Sequence, residues 1–440
     1  MQSEVRIQDD LYEAVNGEWL KTAVIPSDRP TAGGFSELDQ GVEKLLMKDF
    51  KDFSEGKDKT DIKEMNEAVK LYKKVIDTDR RNKEGVSPVL PLLSKINELK
   101  DVDDLNNNAS FLAENGVNLP FNFGVDPNMK DATKNAFVIL GPSLILPDTS
   151  YYGEDNAAGK QLLGIWVAAA KEALKYTELT EEEQNKFLED TVKFDSLIAK
   201  KVKSQLEWAD YVKNYNPISY KDACCYLKPF DFDKLLKSFY NDKTPNEVIA
   251  YDLKAIKEFN FYFNEENFDL YKHWAYVKTL LNAASFLSVD LHTISTTYRR
   301  TLMGVEKDPV VEKQAYQLSS RLFAEAVGVY YGRKYFGEEA KKDIVSLVKK
   351  IIEMYKERVK NNDFLEEATK EKAILKLSTM VIKMGYPDKI NKVYEKLIVD
   401  EDASLFQAYQ GIKKVLYLDN LSKLLKEVDR SEWAMPGHMV

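Results

Sequence analysis

The sequence predicts a mainly α-helical protein, one large multi-helix lobe with a small β-hairpin excursion. Three observations carry that reading. Apolar residues recur at i, i+3/i+4 and i+7 through most of the chain, and helix start and stop signals bracket those stretches. Period-two alternation is confined to one place. The 440 residues are 44% hydrophobic with a mean hydropathy of −0.43, which is the make-up of a soluble globular protein with ample material for a core.

Taken in order, Leu38, Val42, Leu45, Leu46 and Phe50 put an amphipathic helix over 35–53. The apolar runs 121–125 and 136–140 flank the polar stretch 126–134 and predict a hairpin, inside a β excursion near 119–147. Thr180, with Glu183 three residues on, is a capping box. It opens a helix toward 204 that turns Phe187, Val192, Phe194, Leu197 and Ile198 to a core. Two more helices cover 309–335 and 338–359, parted at Phe336-Gly337. A helix over 368–384 is stopped by Gly385-Tyr386-Pro387. Asp402 is the candidate N-cap for helical material over 402–426. No internal repeat or low-complexity tract interrupts the chain.

Composition narrows the function classes. With 72 acidic and 63 basic residues the net charge is −9, which argues against a nucleic-acid partner. No apolar run approaches the ~20 residues that span a bilayer, so no membrane partner is expected. Met1-Gln2-Ser3-Glu4-Val5-Arg6 has neither the basic nor the apolar region of a secretory signal. The two cysteines, Cys224 and Cys225, are adjacent and lack C-x-x-C spacing, so a reducing cytoplasm is the expected location.

Chemistry-bearing patterns are scarce. A hydrolytic zinc site needs about three protein ligands and an open water position. The three histidines, His273, His292 and His438, share no i, i+4 face, and none stands in an H-E-x-x-H arrangement. Glu181-Glu182-Glu183 and Glu366-Glu367 sit where helix N-termini favour negative charge. A G-x-S-x-G elbow and a P-loop are both absent. The expectation is that this chain carries no catalytic residue, metal ligand or cofactor of its own.

Several segments resemble, in order, those of the M13 (neprilysin-like, oligopeptidase O) zinc metallopeptidases. Tyr12-x-x-x-Asn16-Gly17-x-Trp19 is similar to the family's opening signature, and Gly34-Phe35-Ser36-Glu37-Leu38 to its Gly-x-Phe segment. Leu146-Pro147-Asp148-Thr149-Ser150-Tyr151-Tyr152 resembles its Leu-Pro-Asp-x-x-Tyr-Tyr. Tyr298-Arg299-Arg300-Thr301-Leu302, Tyr330-x-x-x-Lys334-Tyr335-Phe336 and Gly385-Tyr386-Pro387-Asp388 follow in place. Tyr12 and Trp19, seven apart on one helical face, read as core anchors. Arg430 to Val440 resembles the approach to the family's Asn-Ala-Tyr-Tyr strand, which this sequence does not contain.

The resemblance implies the N-terminal, non-catalytic part of a zinc-dependent oligopeptidase. Residues 1–34 would pack toward a catalytic lobe, 35–425 would enclose substrate, and 426–440 would begin the catalytic domain. Zinc would sit in a separate C-terminal half, docked at Trp433, Met435, Pro436, Met439 and Val440. Phe35 falls on a phenylalanine that lines the S1′ side of the cleft in the family, with a hydrophobic staple as the other reading. Thr31 and Asp39 stand where neprilysin-type members carry carboxylate-gripping arginines, and the nearby Arg29 is the candidate substitute. That departure leans toward endopeptidase action on oligopeptides. The alternative is a non-enzymatic peptide-binding or regulatory protein.

Overall fold

Helices dominate residues 5–439, which a computed structural model describes. Their apolar faces gather into two hydrophobic cores.

The larger core forms around helix Phe268–Ala284, which is buried at 12 of its 17 positions. Helices Glu181–Ala199, Leu90–Asn97, Ala157–Leu174 and Val289–Met303 pack on it. The capping box at Thr180 and Glu183 forms, and Phe187, Phe194 and Ile198 are buried behind it, with Val192 and Leu197 half-buried. That helix ends at Ala199, five residues short of the expected 204.

The expected hairpin is present as β1 (Asn122–Pro127) and β2 (Asn135–Leu140), antiparallel. It belongs to a larger sheet, because β3 (Pro217–Ser219) and β4 (Glu247–Ala250) extend it in the order β1-β2-β4-β3, with β4 parallel to β2. The β region therefore reaches well beyond 119–147. β3 and β4 are three and four residues long, too short for alternation to register. The β1 edge is met by a side chain. The Val125 N–H donates to Asn420 Oδ1 at 3.0 Å, and Asn420 Nδ2 donates to the Val125 carbonyl at 2.8 Å. One amide thus occupies the edge-facing backbone groups of Val125.

The Leu-Pro-Asp-x-x-Tyr-Tyr segment has a physical explanation. Asp148 caps the short 3-10 turn Thr149–Tyr152, and the Tyr152 hydroxyl donates to the carboxylate of buried Asp195. Asp195 also accepts from the Ile145 N–H and from Trp274 Nε1, both at 3.1 Å. Burial raises its pKa, against the pull of Lys278 and those donors.

The smaller core joins helices Gly34–Ser54, Lys63–Ile76, Val311–Leu322, Ala324–Tyr331 and the first turns of Leu405–Ser422. Phe50 stacks on Tyr72 at 5.4 Å between centroids. Tyr330, Lys334 and Tyr335 converge on Asp49, which is 2% exposed and accepts from their terminal atoms at 2.9, 2.8 and 2.8 Å. The π turn Gly332–Phe336 brings Tyr335 onto the same side as the other two.

Four local expectations are corrected. The 309–335 stretch is interrupted at Phe323 (φ −109°, ψ 36°), so it makes two helices and a π turn. The helix expected to reach 384 is Glu367–Ser378; Thr379 folds its hydroxyl back onto the Leu375 carbonyl, and β-branched residues follow. The last long helix is capped by Ser404 with Gln407 in a capping box, not by Asp402. Tyr12 is 63% exposed, and half-buried Trp19 meets Glu37 Oε1 through its indole N–H at 2.9 Å, so neither anchors a core of this chain. Among the described residues no helix is long and apolar enough to cross a membrane.

Candidate functional site

Among the described residues, two helices carry apolar stripes that nothing covers. Helix Leu11–Leu20 buries only Gly17 and exposes Leu11, Tyr12 and Val15. Helix Glu338–Lys360 runs 23 residues without burying one, exposing Leu347, Ile351, Met354 and Tyr355. Its packing neighbour Glu367–Ser378 buries none either. Helices of this kind are held mainly by packing of the apolar face, and an uncovered stripe of this extent marks an interaction surface.

The segment 433–439 lies beside that surface, admitted by glycines. A Cβ on Gly328 would come 2.5 Å from the Gly437 nitrogen, and one on Gly437 would come 2.6 Å from the Gly385 carbonyl oxygen. Lys423 holds Glu432 at 2.8 Å, and Lys341 bonds the Tyr386 carbonyl at 2.6 Å, tying this corner to helix Glu338–Lys360. Among the described residues the buried His438 Nδ1 has no partner, and burial pushes the ring's pKa down to about 4, opposed by the charge of Asp39. Of the expected interface residues, Met435 and Met439 are exposed, and Trp433 and Pro436 are half-buried. Val440 lies outside the described residues.

Phe35 is the second residue of helix Gly34–Ser54 and is 78% exposed. A staple would bury it against the first turn, so that reading fails. Arg29 has a different occupation from the one its position suggested. Its Nη1 donates to Asp39 at 2.8 Å and its Nη2 to Glu43 at 3.1 Å. Lys313 joins Glu43 and Asp28 at 2.8 Å each. This network clamps the loop before Phe35 onto its helix.

A cavity of about 870 Å³ opens between the two cores. Asp28 and Pro30 of the same loop stand on its wall, opposite Phe286 and Tyr409, which stack at 3.8 Å. Sequence reasoning missed it, because its walls come from segments hundreds of residues apart. The one signal was Tyr298-Arg299-Arg300, all three of which line it.

The residues present do not fit a catalytic zinc. Among the described residues no three or more His, Cys, Asp or Glu side chains are grouped to hold a metal. His273 Nδ1 pairs with Asp190 at 2.7 Å, and His292 Nδ1 lies 2.9 Å from the Ser285 carbonyl oxygen in another part of the fold.

Residues 7–387 match the N-terminal model of peptidase family M13. The chain is 38% identical over 433 residues to the neutral endopeptidase of Lactobacillus helveticus, covering 98% of this chain and 66% of that protein. Among solved structures, PepO from Lactobacillus rhamnosis HN001 superposes with a TM-score of 0.90 at 30% identity, covering 99% of this chain and 68% of that one. Zinc metalloprotease Zmp1 of Mycobacterium tuberculosis, in complex with an inhibitor, gives a TM-score of 0.85 at 26% identity, over 100% of this chain and 66% of that one. The chain thus spans about two thirds of the length of the relatives it matches.

Proposed function

The chain belongs to peptidase family M13, and on that premise we propose that it is the substrate-enclosing N-terminal part of a zinc-dependent oligopeptidase. In this reading the zinc ligands and the general base come from a C-terminal part outside this sequence, and peptide occupies the cavity between the cores. The observation that carries the reading is helix Glu338–Lys360, 23 residues long with an apolar stripe and no buried residue. Such a stripe fits the surface of a further lobe, and the exposure of the expected docking residues Met435 and Met439 supports the same reading. Phe35 would meet substrate on the primed side in this reading, which its exposure beside the Arg29 network supports. Arg29 acts by positioning that loop. The free thiols of Cys224 and Cys225 support a reducing, cytoplasmic setting.

The test is reconstitution. The purified chain is mixed with the C-terminal part of an M13 peptidase that carries His-Glu-x-x-His, and cleavage of a short peptide is followed with and without a zinc chelator. Association with chelator-sensitive cleavage is expected; failure to associate sinks the proposal. In the reconstituted enzyme Phe35→Ala should change preference at the residue after the cleaved bond.

A second reading has one observation in its favour. The cavity is walled within this chain, so a peptide-binding or regulatory protein without catalysis is also supported. It requires peptide binding by the chain alone, unchanged when a C-terminal part is added.

A further inference from the structure

The cavity between the cores carries the opposite sign of charge to the chain. Six arginine and lysine side chains line it against three carboxylates, on a protein whose net charge is −9. The imbalance is larger than that count, because all three acids are engaged. Asp28 pairs with Lys313 at 2.8 Å, and Glu114 with Lys414 at 2.8 Å. Asp308 accepts from the Thr296 hydroxyl at 2.9 Å and lies 3.4 Å from Arg300 Nε, an ion pair without hydrogen-bond alignment.

The cations are not matched in return. Among the described residues Arg299, Lys307, Arg321 and Lys413 have no carboxylate at ion-pair distance. Arg81 lies deepest, 3% exposed, and donates only to neutral carbonyls, from Nε to Leu287 at 2.9 Å and from Nη1 to Val75 at 3.0 Å. A buried cation without a counter-charge is costly, and an anion brought near it removes part of that cost. A concave, low-dielectric wall focuses such a field on whatever enters.

We propose that this cavity selects oligopeptides by charge, favouring acidic segments, with Arg299 and Arg321 as the exposed contacts and Arg81 as the fixed charge beneath. The stacked Phe286 and Tyr409 supply apolar contact that is indifferent to charge. The selection rests on the reading of the cavity as a peptide enclosure. It would act before any bond is cut, by enriching acidic peptides and turning away basic ones.

The experiment is calorimetric titration of the full 440-residue chain with acidic, neutral and basic versions of one short peptide. The acidic version should bind about tenfold tighter than the neutral one, and the margin should shrink as salt rises. The variant R299E/R321E, checked for an unchanged Tm, should lose the preference for the acidic peptide over the neutral one. Equal affinity for all three peptides would overturn charge selection and leave the enclosure standing. A preference untouched by R299E/R321E would overturn the assignment to this cavity. No binding of any version would overturn charge selection by this chain's cavity, and the reconstitution assay would still decide the enclosure.

Discussion

The two cores differ in how far each completes itself. The larger draws almost entirely on the stretch from Val89 to Leu291, with Phe406 and Leu421 added from the last long helix. Its central helix is buried at 12 of 17 positions, Asn420 pairs with the Val125 backbone at its sheet edge, and its buried acid Asp195 has three donors. The smaller core is stitched from 42–75, 315–330 and 397–412. Lys74, for example, reaches 327 residues along the chain to the Glu401 carbonyl. Its Asp49 is as well satisfied as Asp195, yet the helices around it, Leu11–Leu20 and Glu338–Lys360, turn apolar stripes outward. One region is finished by its own sequence. The other is finished only up to a surface.

The largest effect should come from breaking the finished region. Asp195→Ala strands the donors of Ile145, Trp274 and Tyr152 and leaves the half-buried Lys278 without its nearby charge. Loss of one member of such a group typically costs about 3–5 kcal/mol. Thermal unfolding followed by circular dichroism should show it as a large fall in Tm, and a loss below about 1 kcal/mol would mean the larger core is not the rigid partner in the comparison.

A smaller effect is expected where the smaller core meets the 433–439 segment. A Cβ on Gly332 would lie 2.1 to 2.8 Å from atoms of the Tyr386 side chain. Gly332→Ala must displace Tyr386, which is itself nearly buried. Overpacking of this kind costs about 1–3 kcal/mol, and Trp433 fluorescence should shift as the segment loosens. An unchanged Tm and spectrum would detach this corner from the smaller core.

The same contrast explains what was legible in the sequence. Local signals survived: the Thr180–Glu183 box, the hairpin read at 121–125 and 136–140, and the helices read over 35–53 and 338–359 all formed, within a residue or two at their ends. Signals that depend on distant partners did not. Tyr12 and Trp19 have the spacing of core anchors, but their face points away from this chain's cores. The break at Phe323 has no local signal, and the π turn after it brings Lys334 and Tyr335 onto the distant Asp49, which no local pattern announces. Phe35 was legible as a candidate, yet only its 78% exposure removed the staple reading. The cavity was the least legible, since charges at 81, 299 and 321 become neighbours only once both cores exist.

The protonation of His438 sharpens the comparison at the seam. Burial holds its folded pKa near 4, below the ordinary 6.5. An undocked segment therefore binds a proton that the docked one refuses. The docked state keeps its full advantage above about pH 6.5 and loses it as pH falls toward 4, with no further loss below. Burial also lowers His273 and His292, the former against the pull of Asp190 and the latter against its bond to the Ser285 carbonyl. NMR titration of the three histidines should therefore find all of them below the ordinary value and His438 lowest. A His438 midpoint near 6.5 would show the segment undocked.

The smallest effect on folding should come from the uncovered stripe, and its smallness is what makes it informative. Ile351 is 45% exposed on a helix that buries nothing. Ile351→Glu removes no contact with either core, so the stability of this chain alone should change by no more than about 0.5 kcal/mol. The same substitution places a charge in the centre of the proposed docking surface, where interface cores are depleted of charge. Association with a C-terminal part, measured by titration, should weaken by about tenfold or more. A fall in Tm as large as that of Gly332→Ala would mean the stripe is packed within this chain, and the difference between the two regions would vanish. An unchanged Tm with unchanged association would leave the stripe without a role, and the incomplete region would need a different face to explain it.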